Sequence, residues 1–193
     1  MAPSKDRDTN NADQQAMARL AAGDHSALNQ LMTHWTPRLI AFLTRLTGNT
    51  ATAEDLAQET FVRLYQSRDR YQPIGQFSTY LFQIAANLAR NQARWKSRHP
   101  ESPVDESQGQ EFTDPGNDPS SHTMANETVQ AVHRAVAALP EDLRLPLVLA
   151  VYENQSRNAI ATILGCSPKA AEMRIYRARL ALREALAPHL LPD

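Results

Sequence analysis

The stretch Ser156-Arg157-Asn158-Ala159-Ile160-Ala161-Thr162-Ile163-Leu164-Gly165-Cys166-Ser167-Pro168-Lys169-Ala170-Ala171 contains two helix starts and one helix stop within sixteen residues. Ser156 supplies a hydroxyl to cap a short helix that carries Ile160 and Ile163 on one side. Gly165 ends that helix, and Ser167 caps the next, with Pro168 at the first helical position, where a missing N–H costs nothing. Two helices joined by so short a turn form a helix-turn-helix signature. In the helix predicted from Pro168 to about Leu186, Ala171, Ile175, Ala178 and Leu182 recur on the inner side. Lys169, Glu172, Met173 and Tyr176 then face outward, flanked by Arg174, Arg177 and Arg179. The first turns of such a helix reach base edges in a major groove, while flanking arginines hold phosphates. A plain helical hairpin produces similar spacing, so this tail alone leaves both readings open.

Upstream, Val129, Val132, Val136 and Leu139 trace a helix closed by Pro140, and Leu143, Leu147, Val148 and Val151 trace another. Before them, Pro100 to Asn126 holds six acidic residues, four prolines and no Lys or Arg. That composition predicts a flexible acidic linker over residues 99–125. It divides a first domain at 12–98 from a second at 126–190, and residues 1–11 are expected to be disordered.

The first domain shows its own helical periodicity. Leu28, Leu31, Met32, Trp35, Leu39, Phe42, Leu43 and Leu46 recur at three- and four-residue steps, predicting one long helix or a pair bent near Pro37. Gly48-Asn49 ends it. Thr52, with Asp55 three residues on, is the expected cap of a helix running to about Ser67. That helix should bury Leu56, Thr60, Phe61 and Leu64 and expose Glu54, Asp55, Gln58 and Glu59. After the turn-prone stretch Tyr71 to Gln76, a helix from about Phe77 to Arg98 should bury Phe77, Leu81, Ile84 and Leu88, with Trp95 a candidate for its far end. Its other face carries Asn87, Arg90, Asn91, Arg94 and Arg98, with Tyr71 and Tyr80 near its start. Such amides and guanidinium groups suit phosphates and exposed bases. A merely solvated face has the same pattern.

The totals agree with an all-α chain of two small helical domains. Of 193 residues, 42% are apolar and 21% charged, with only 6 glycines. The net charge of -1 gives no overall pull toward nucleic acid, so any basic surface must be local. The longest apolar run, Leu145 to Tyr152, is far shorter than the roughly 20 residues of a membrane span. The polar Met1 to Gln15 stretch lacks the core of a secretory signal, and a cytoplasmic location without membrane insertion is expected. A single cysteine, Cys166, excludes an internal disulfide and a multi-cysteine zinc site. The six histidines are scattered, and His25 and His34 read as helix-surface residues. No glycine-rich phosphate loop, paired histidine ligands or activated nucleophile stands out, so neither an enzyme nor a cofactor or metal is expected.

Several of these stretches together resemble the extracytoplasmic-function (ECF) sigma factors of the sigma-70 family. Gly23-Asp24-His25-Ser26-Ala27 resembles the start of that family's second helix, and Ala53-Glu54-Asp55-Leu56-Ala57-Gln58-Glu59-Thr60-Phe61 its polymerase-binding motif. Phe77 to Arg94 resembles the promoter-melting helix. Leu139-Pro140-Glu141-Asp142-Leu143-Arg144 and Ile160 to Arg179 resemble the C-terminal module. The matches run in order through residues 16 to 187. They imply a region 2 helical bundle and a region 4 helix-turn-helix, in a protein that binds core RNA polymerase and directs initiation. By this resemblance Glu54, Asp55, Leu56, Gln58, Glu59 and Phe61 form the core polymerase-binding set. Tyr71, Tyr80, Asn87, Arg90, Asn91 and Arg94 would meet the minus-10 element. Lys169, Glu172, Met173, Arg174, Tyr176 and Arg177 would read minus-35 duplex. Partners implied are core RNA polymerase, promoter DNA and an anti-sigma factor. The chain departs from the family at Tyr80 (usually tryptophan), Asn91 (commonly acidic), Asn154 (glycine) and Glu172 (frequently basic). A free-standing helix-turn-helix regulator accounts for the tail equally well but leaves Ala53 to Phe61 unexplained.

Overall fold

The apolar stripe from Leu28 to Leu46 forms one uninterrupted helix, Ser26–Thr47, in the computed structural model, which describes residues 4–99 and 123–190. Pro37 lies inside this helix, so one backbone hydrogen bond is missing without a break. Leu31, Trp35, Leu39, Phe42 and Leu43 are all buried along it. The described elements are α1 (Ser4–Ala21), α2 (Ser26–Thr47), α3 (Thr50–Gln66), α4 (Phe77–Arg98), α5 (Thr123–Ala138), α6 (Glu141–Val151), α7 (Arg157–Leu164) and α8 (Pro168–Leu190). One 3-10 turn, Arg68–Arg70, precedes α4, and no strand occurs among the described residues.

Helix α2 is the axis of the first bundle and packs against α1, α3 and α4. Four aromatic side chains meet where these helices converge: Trp35 lies 5.9 Å edge-on to Phe82 and 5.8 Å from Phe77, and Phe42 lies 4.8 Å from Phe82. Such pairs add about 0.5–1.5 kcal/mol each beyond their buried area. Gly48, in the left-handed conformation, closes α2, and its N–H reaches the Thr44 carbonyl. Asn49, not Thr52, caps α3: its side-chain oxygen accepts the Thr52 N–H at 2.8 Å. The left-handed turn at Gly48 brings extended Asn49 up against the helix start, one turn earlier than the Thr52–Asp55 spacing indicated.

The N-terminal segment also departs from the sequence reading, because α1 begins at Ser4 and not after residue 11. Its polar side chains find partners far along the chain. Asn10 accepts the Phe77 N–H at 2.8 Å, satisfying an orphan donor at the start of α4, and Gln14 donates to the Gly75 carbonyl at 2.7 Å. Asp13, 5% exposed, accepts the Trp35 indole N–H at 3.1 Å. Below these, Ala16, Met17 and Leu20 are fully buried.

The second bundle is α5 to α8, with α8 packed against α5, α6 and α7. Ala171 and Ala178 are fully buried, Ile175 is 8% exposed, and Leu182 is half-buried, matching the expected inner face. Trp95 does not join a core; it is 57% exposed and stacks on His99, one turn beyond where α4 loses its packing partners. The acidic segment 100–122 lies outside the described residues.

Burial raises the Asp13 carboxyl above its ordinary value, offset in part by His34 and the Trp35 hydrogen bond. A carboxyl raised in the folded state favours folding at low pH, and that contribution is lost as pH rises through the folded value. Asp13→Asn retains an acceptor for Trp35 without a buried charge. Denaturant titrations should therefore find the variant gaining on wild type as pH rises above the carboxylate range, and the two converging below it. A variant that loses ground with rising pH would show that the charge itself is needed.

Candidate nucleic-acid and polymerase interfaces

Three surfaces carry the residues singled out by sequence. On α3, Glu54, Asp55 and Gln58 are exposed and Glu59 is half-exposed, on the side opposite the bundle core. Glu59 pairs with Arg63 one turn on at 2.7 Å. Leu56 (9% exposed) and Phe61 (4%), two members of the set that the resemblance implies for polymerase binding, are core residues, as the periodicity of α3 indicated. Their spacing from Thr60 and Leu64 turns them inward, so they hold α3 against α2 and α4 and leave the outer face to the polar side chains.

On α4, Asn87, Asn91 and Arg94 are exposed along one face. Tyr71 and Tyr80 are half-buried at the start of that helix, their rings 5.1 Å apart. The Tyr80 hydroxyl lies 2.7 Å from Ser67 Oγ, which fixes its ring at the rim of the bundle. Burial raises the Tyr71 phenol above its ordinary value, followed by the influence of Tyr80 and Asp13. Arg90 is set apart from the rest of its face. It is half-buried, and its Nε lies 3.8 Å from the Glu141 carboxylate at the start of α6. Burial lowers its guanidinium from its ordinary value, Glu141 pushes it back up, and Arg174 and Arg94 lower it further.

On α7 and α8 the local chemistry follows the sequence closely. Ser156 Oγ accepts the Ala159 N–H at 3.2 Å, and Gly165 closes α7 in the left-handed conformation. Ser167 Oγ accepts the Ala170 N–H at 3.2 Å at the start of α8. Asn154 takes a positive φ of 50°, the geometry expected at the position where a glycine is usual. Met173, Tyr176, Arg177 and Lys169 are exposed, while Arg174 and Glu172 are half-exposed. Glu172 bridges Lys169 at 3.3 Å and Arg157 at 3.4 Å, so one carboxylate ties α8 to the start of α7. Cys166 is half-buried in the turn, with its N–H on the Ala161 carbonyl.

Sequence reasoning missed a fourth feature, the junction between the two bundles. Arg38 of α2 donates through Nε to the Glu153 carboxylate at 2.6 Å and through an Nη to the Glu153 carbonyl at 2.8 Å. Gln155 donates to Ser78 Oγ and accepts from Thr79 Oγ1, both at 3.3 Å. The Arg45 guanidinium lies 4.3 Å over the Tyr152 ring. Burial raises the Glu153 carboxyl, and Arg38 and then Arg45 oppose it. A cavity of about 300 Å³ lies at this junction, bounded by Asp13, Trp35, Arg38 and the 152–155 turn. Helix α4 also packs on α7.

Among the described residues, no three His, Cys, Asp or Glu side chains are grouped to hold a metal ion, and no helix is long and apolar enough to cross a membrane.

A sigma-70 region 2 family model matches residues 31–99, spanning α2 to α4, and a sigma-70 region 4 model matches residues 129–182, spanning α5 to most of α8. The chain is 30% identical over 188 residues to the RNA polymerase sigma-H factor of Pseudomonas aeruginosa, covering 94% of this chain and 97% of that one. It is also 30% identical over 182 residues to the ECF RNA polymerase sigma-E factor of Escherichia coli, covering 91% and 95%. The chain belongs to the ECF group of sigma-70 factors. Two solved structures resemble it. CnrH in complex with the cytosolic domain of CnrY superimposes with a TM-score of 0.69 at 25% identity, covering 92% of this chain and 98% of that one. The sigma factor RpoE bound to the anti-sigma factor NepR from Bartonella quintana gives 0.64 at 26% identity, covering 82% and 96%. Against the matched regions of this sigma factor, α1 stands outside region 2 yet completes its core through Met17 and Leu20.

Loss of an N-cap hydroxyl typically costs about 1 kcal/mol. Ser167→Ala should therefore lower the stability of region 4 by about that amount in denaturant unfolding. The exposed Trp95→Ala should leave stability nearly unchanged. Equal losses from both would contradict the cap.

Proposed function

We propose that the chain binds core RNA polymerase and directs promoter-specific initiation, region 2 opening the minus-10 element and region 4 reading the minus-35 element as duplex. The observation that carries this reading is the pairing of two exposed helices of opposite character in one chain of this family. Helix α3 presents carboxylates and an amide, whereas α8 presents Lys169, Met173, Tyr176 and Arg177. The first suits a protein surface rather than a polyanion, and the second suits DNA.

For region 2, Asp55, Gln58, Glu54 and Glu59 are the polymerase-facing residues, and Leu56 and Phe61 act by holding them in place. Opening the minus-10 element requires a base drawn out of the stack, which costs a few kcal/mol. Stacking on an aromatic ring returns about 1–3 kcal/mol per base. Tyr71 and Tyr80, fixed in orientation by each other and by Ser67, can provide that platform, with Asn87, Asn91 and Arg94 on the strand beside it. For region 4, Arg174 and Arg177 hold phosphates. Lys169 and Glu172 meet base edges, and the carboxylate can accept from cytosine. The protein acts by binding rather than by catalysis. The two structural relatives are each bound to a partner, CnrY or NepR, which supports an anti-sigma factor as a partner here too.

Asp55→Arg with Glu59→Arg should weaken binding to core polymerase by tenfold or more, on the order of 1.4 kcal/mol, while leaving helicity unchanged. Unchanged affinity would reject the α3 assignment. In assembled holoenzyme, Arg177→Ala should weaken promoter binding across sequences, whereas Lys169→Ala or Glu172→Ala should shift which minus-35 sequences are preferred. Uniform weakening by all three would place α8 on the backbone alone.

A further inference from the structure

A recess of about 170 Å³ lies where the end of α2, the start of α3 and the second half of α4 meet the start of α6. Its floor is apolar. Leu46, Ala86, Ala89 and Leu145 line it, and all but Leu46 are buried. Three cations, Arg90, Lys96 and Arg144, line it as well, with Glu141 the one carboxylate among the described lining residues. That carboxylate is shared too widely to satisfy them. It lies 3.8 Å from Arg90 Nε, beyond hydrogen-bonding distance. Burial lowers both the Arg90 and the Arg144 guanidinium, and the same Glu141 is the charge that opposes this at each. Arg144 donates through Nη1 to the Ala137 carbonyl at 3.1 Å, but its buried Nε has no hydrogen-bond partner. Lys96 is exposed and makes no ion pair among the described residues. Buried donors are nearly always satisfied, so an orphan N–H in a recess with surplus positive charge marks a place for an acceptor from outside the chain.

We infer that this recess binds a small organic phosphate, its phosphoryl oxygens held by Arg90, Lys96 and Arg144 and its carbon body resting on the apolar floor. Guanidinium groups pair with phosphate through two parallel N–H donors, and a lysine adds a compact charge. The recess has room for roughly six water molecules at about 30 Å³ each, and it falls below the roughly 300 Å³ that a drug-sized ligand needs. The occupant is therefore a phosphate carried on one small ring or short chain. A terminal phosphate brings nearly two negative charges and three free oxygens. An internucleotide phosphodiester brings one charge, with chain leaving on both sides, and a closed-floored recess of this size suits it poorly. A free phosphate ester is thus favoured over the DNA backbone. The site does not depend on the promoter roles proposed above.

Calorimetric titration of the full chain with phenyl phosphate, and with inorganic phosphate at matched ionic strength, tests the site. Phenyl phosphate should bind saturably, one per chain, and about tenfold more tightly than inorganic phosphate, which leaves the apolar floor uncovered. Lys96→Glu changes an exposed residue and should keep wild-type helix content by circular dichroism while weakening phenyl phosphate by about tenfold. Arg144→Lys keeps the charge but removes the orphan Nε–H, and should weaken it by about fivefold. Arg183→Glu, the same charge reversal at an exposed position of α8 outside the recess, should leave the affinity unchanged. No saturable binding at millimolar phenyl phosphate, or equal losses from Lys96→Glu and Arg183→Glu, would overturn the inference. So would displacement of phenyl phosphate by a DNA duplex lacking terminal phosphates, which would assign the recess to the DNA backbone.

Discussion

Burial of one apolar stripe on α2 is the constraint on which the region 2 bundle depends. Leu31, Trp35, Leu39, Phe42 and Leu43 each need a neighbour, and α1, α3 and α4 supply them on three sides. Removing a fully buried leucine from such a core typically costs about 2–5 kcal/mol, a large fraction of a small domain's stability. Because the stripe consumes the inner faces of α3 and α4, the residues left outside are Glu54, Asp55 and Gln58 on one helix and Asn87, Asn91 and Arg94 on the other. The polar outer surfaces are the remainder of the packing problem. The same helix carries Arg38, which crosses from that core to the second bundle over the rings of Trp35 and Phe82.

A carboxylate as deeply buried as Glu153 is costly unless it is paired, and leaving one partner of a buried pair alone commonly costs about 3–5 kcal/mol. Arg38 supplies that pairing from the surface side, still partly in contact with water. The junction is therefore polar where most of the core is apolar, and a cavity remains beside it. Such interfaces hold two domains together without fusing them.

Periodicity revealed α2, α3, α4 and α8 because each buries a regular stripe, and the caps at Ser156 and Ser167 were legible because hydroxyl, spacing and Pro168 coincide. The left-handed turn at Asn154 was legible for the same reason: few residue types tolerate it. Helix α1 was not legible. Its sequence is polar, and its place depends on Asn10 reaching Phe77 and Asp13 reaching Trp35, contacts set by tertiary approach. The Arg38 to Glu153 pair spans 115 positions, and no local pattern links its ends. For Leu56 and Phe61 the periodicity of α3 was the better guide than the motif that contains them, because only the spacing distinguishes the inward residues from the outward ones.

Run-off transcription with purified core polymerase on a library of promoter fragments, at matched salt with and without this protein, tests the central claim most directly. The account predicts specific transcripts only when the protein is present, from promoters sharing two short elements at fixed separation. A folded, inhibitor-free protein that neither binds core polymerase nor yields such transcripts would contradict it.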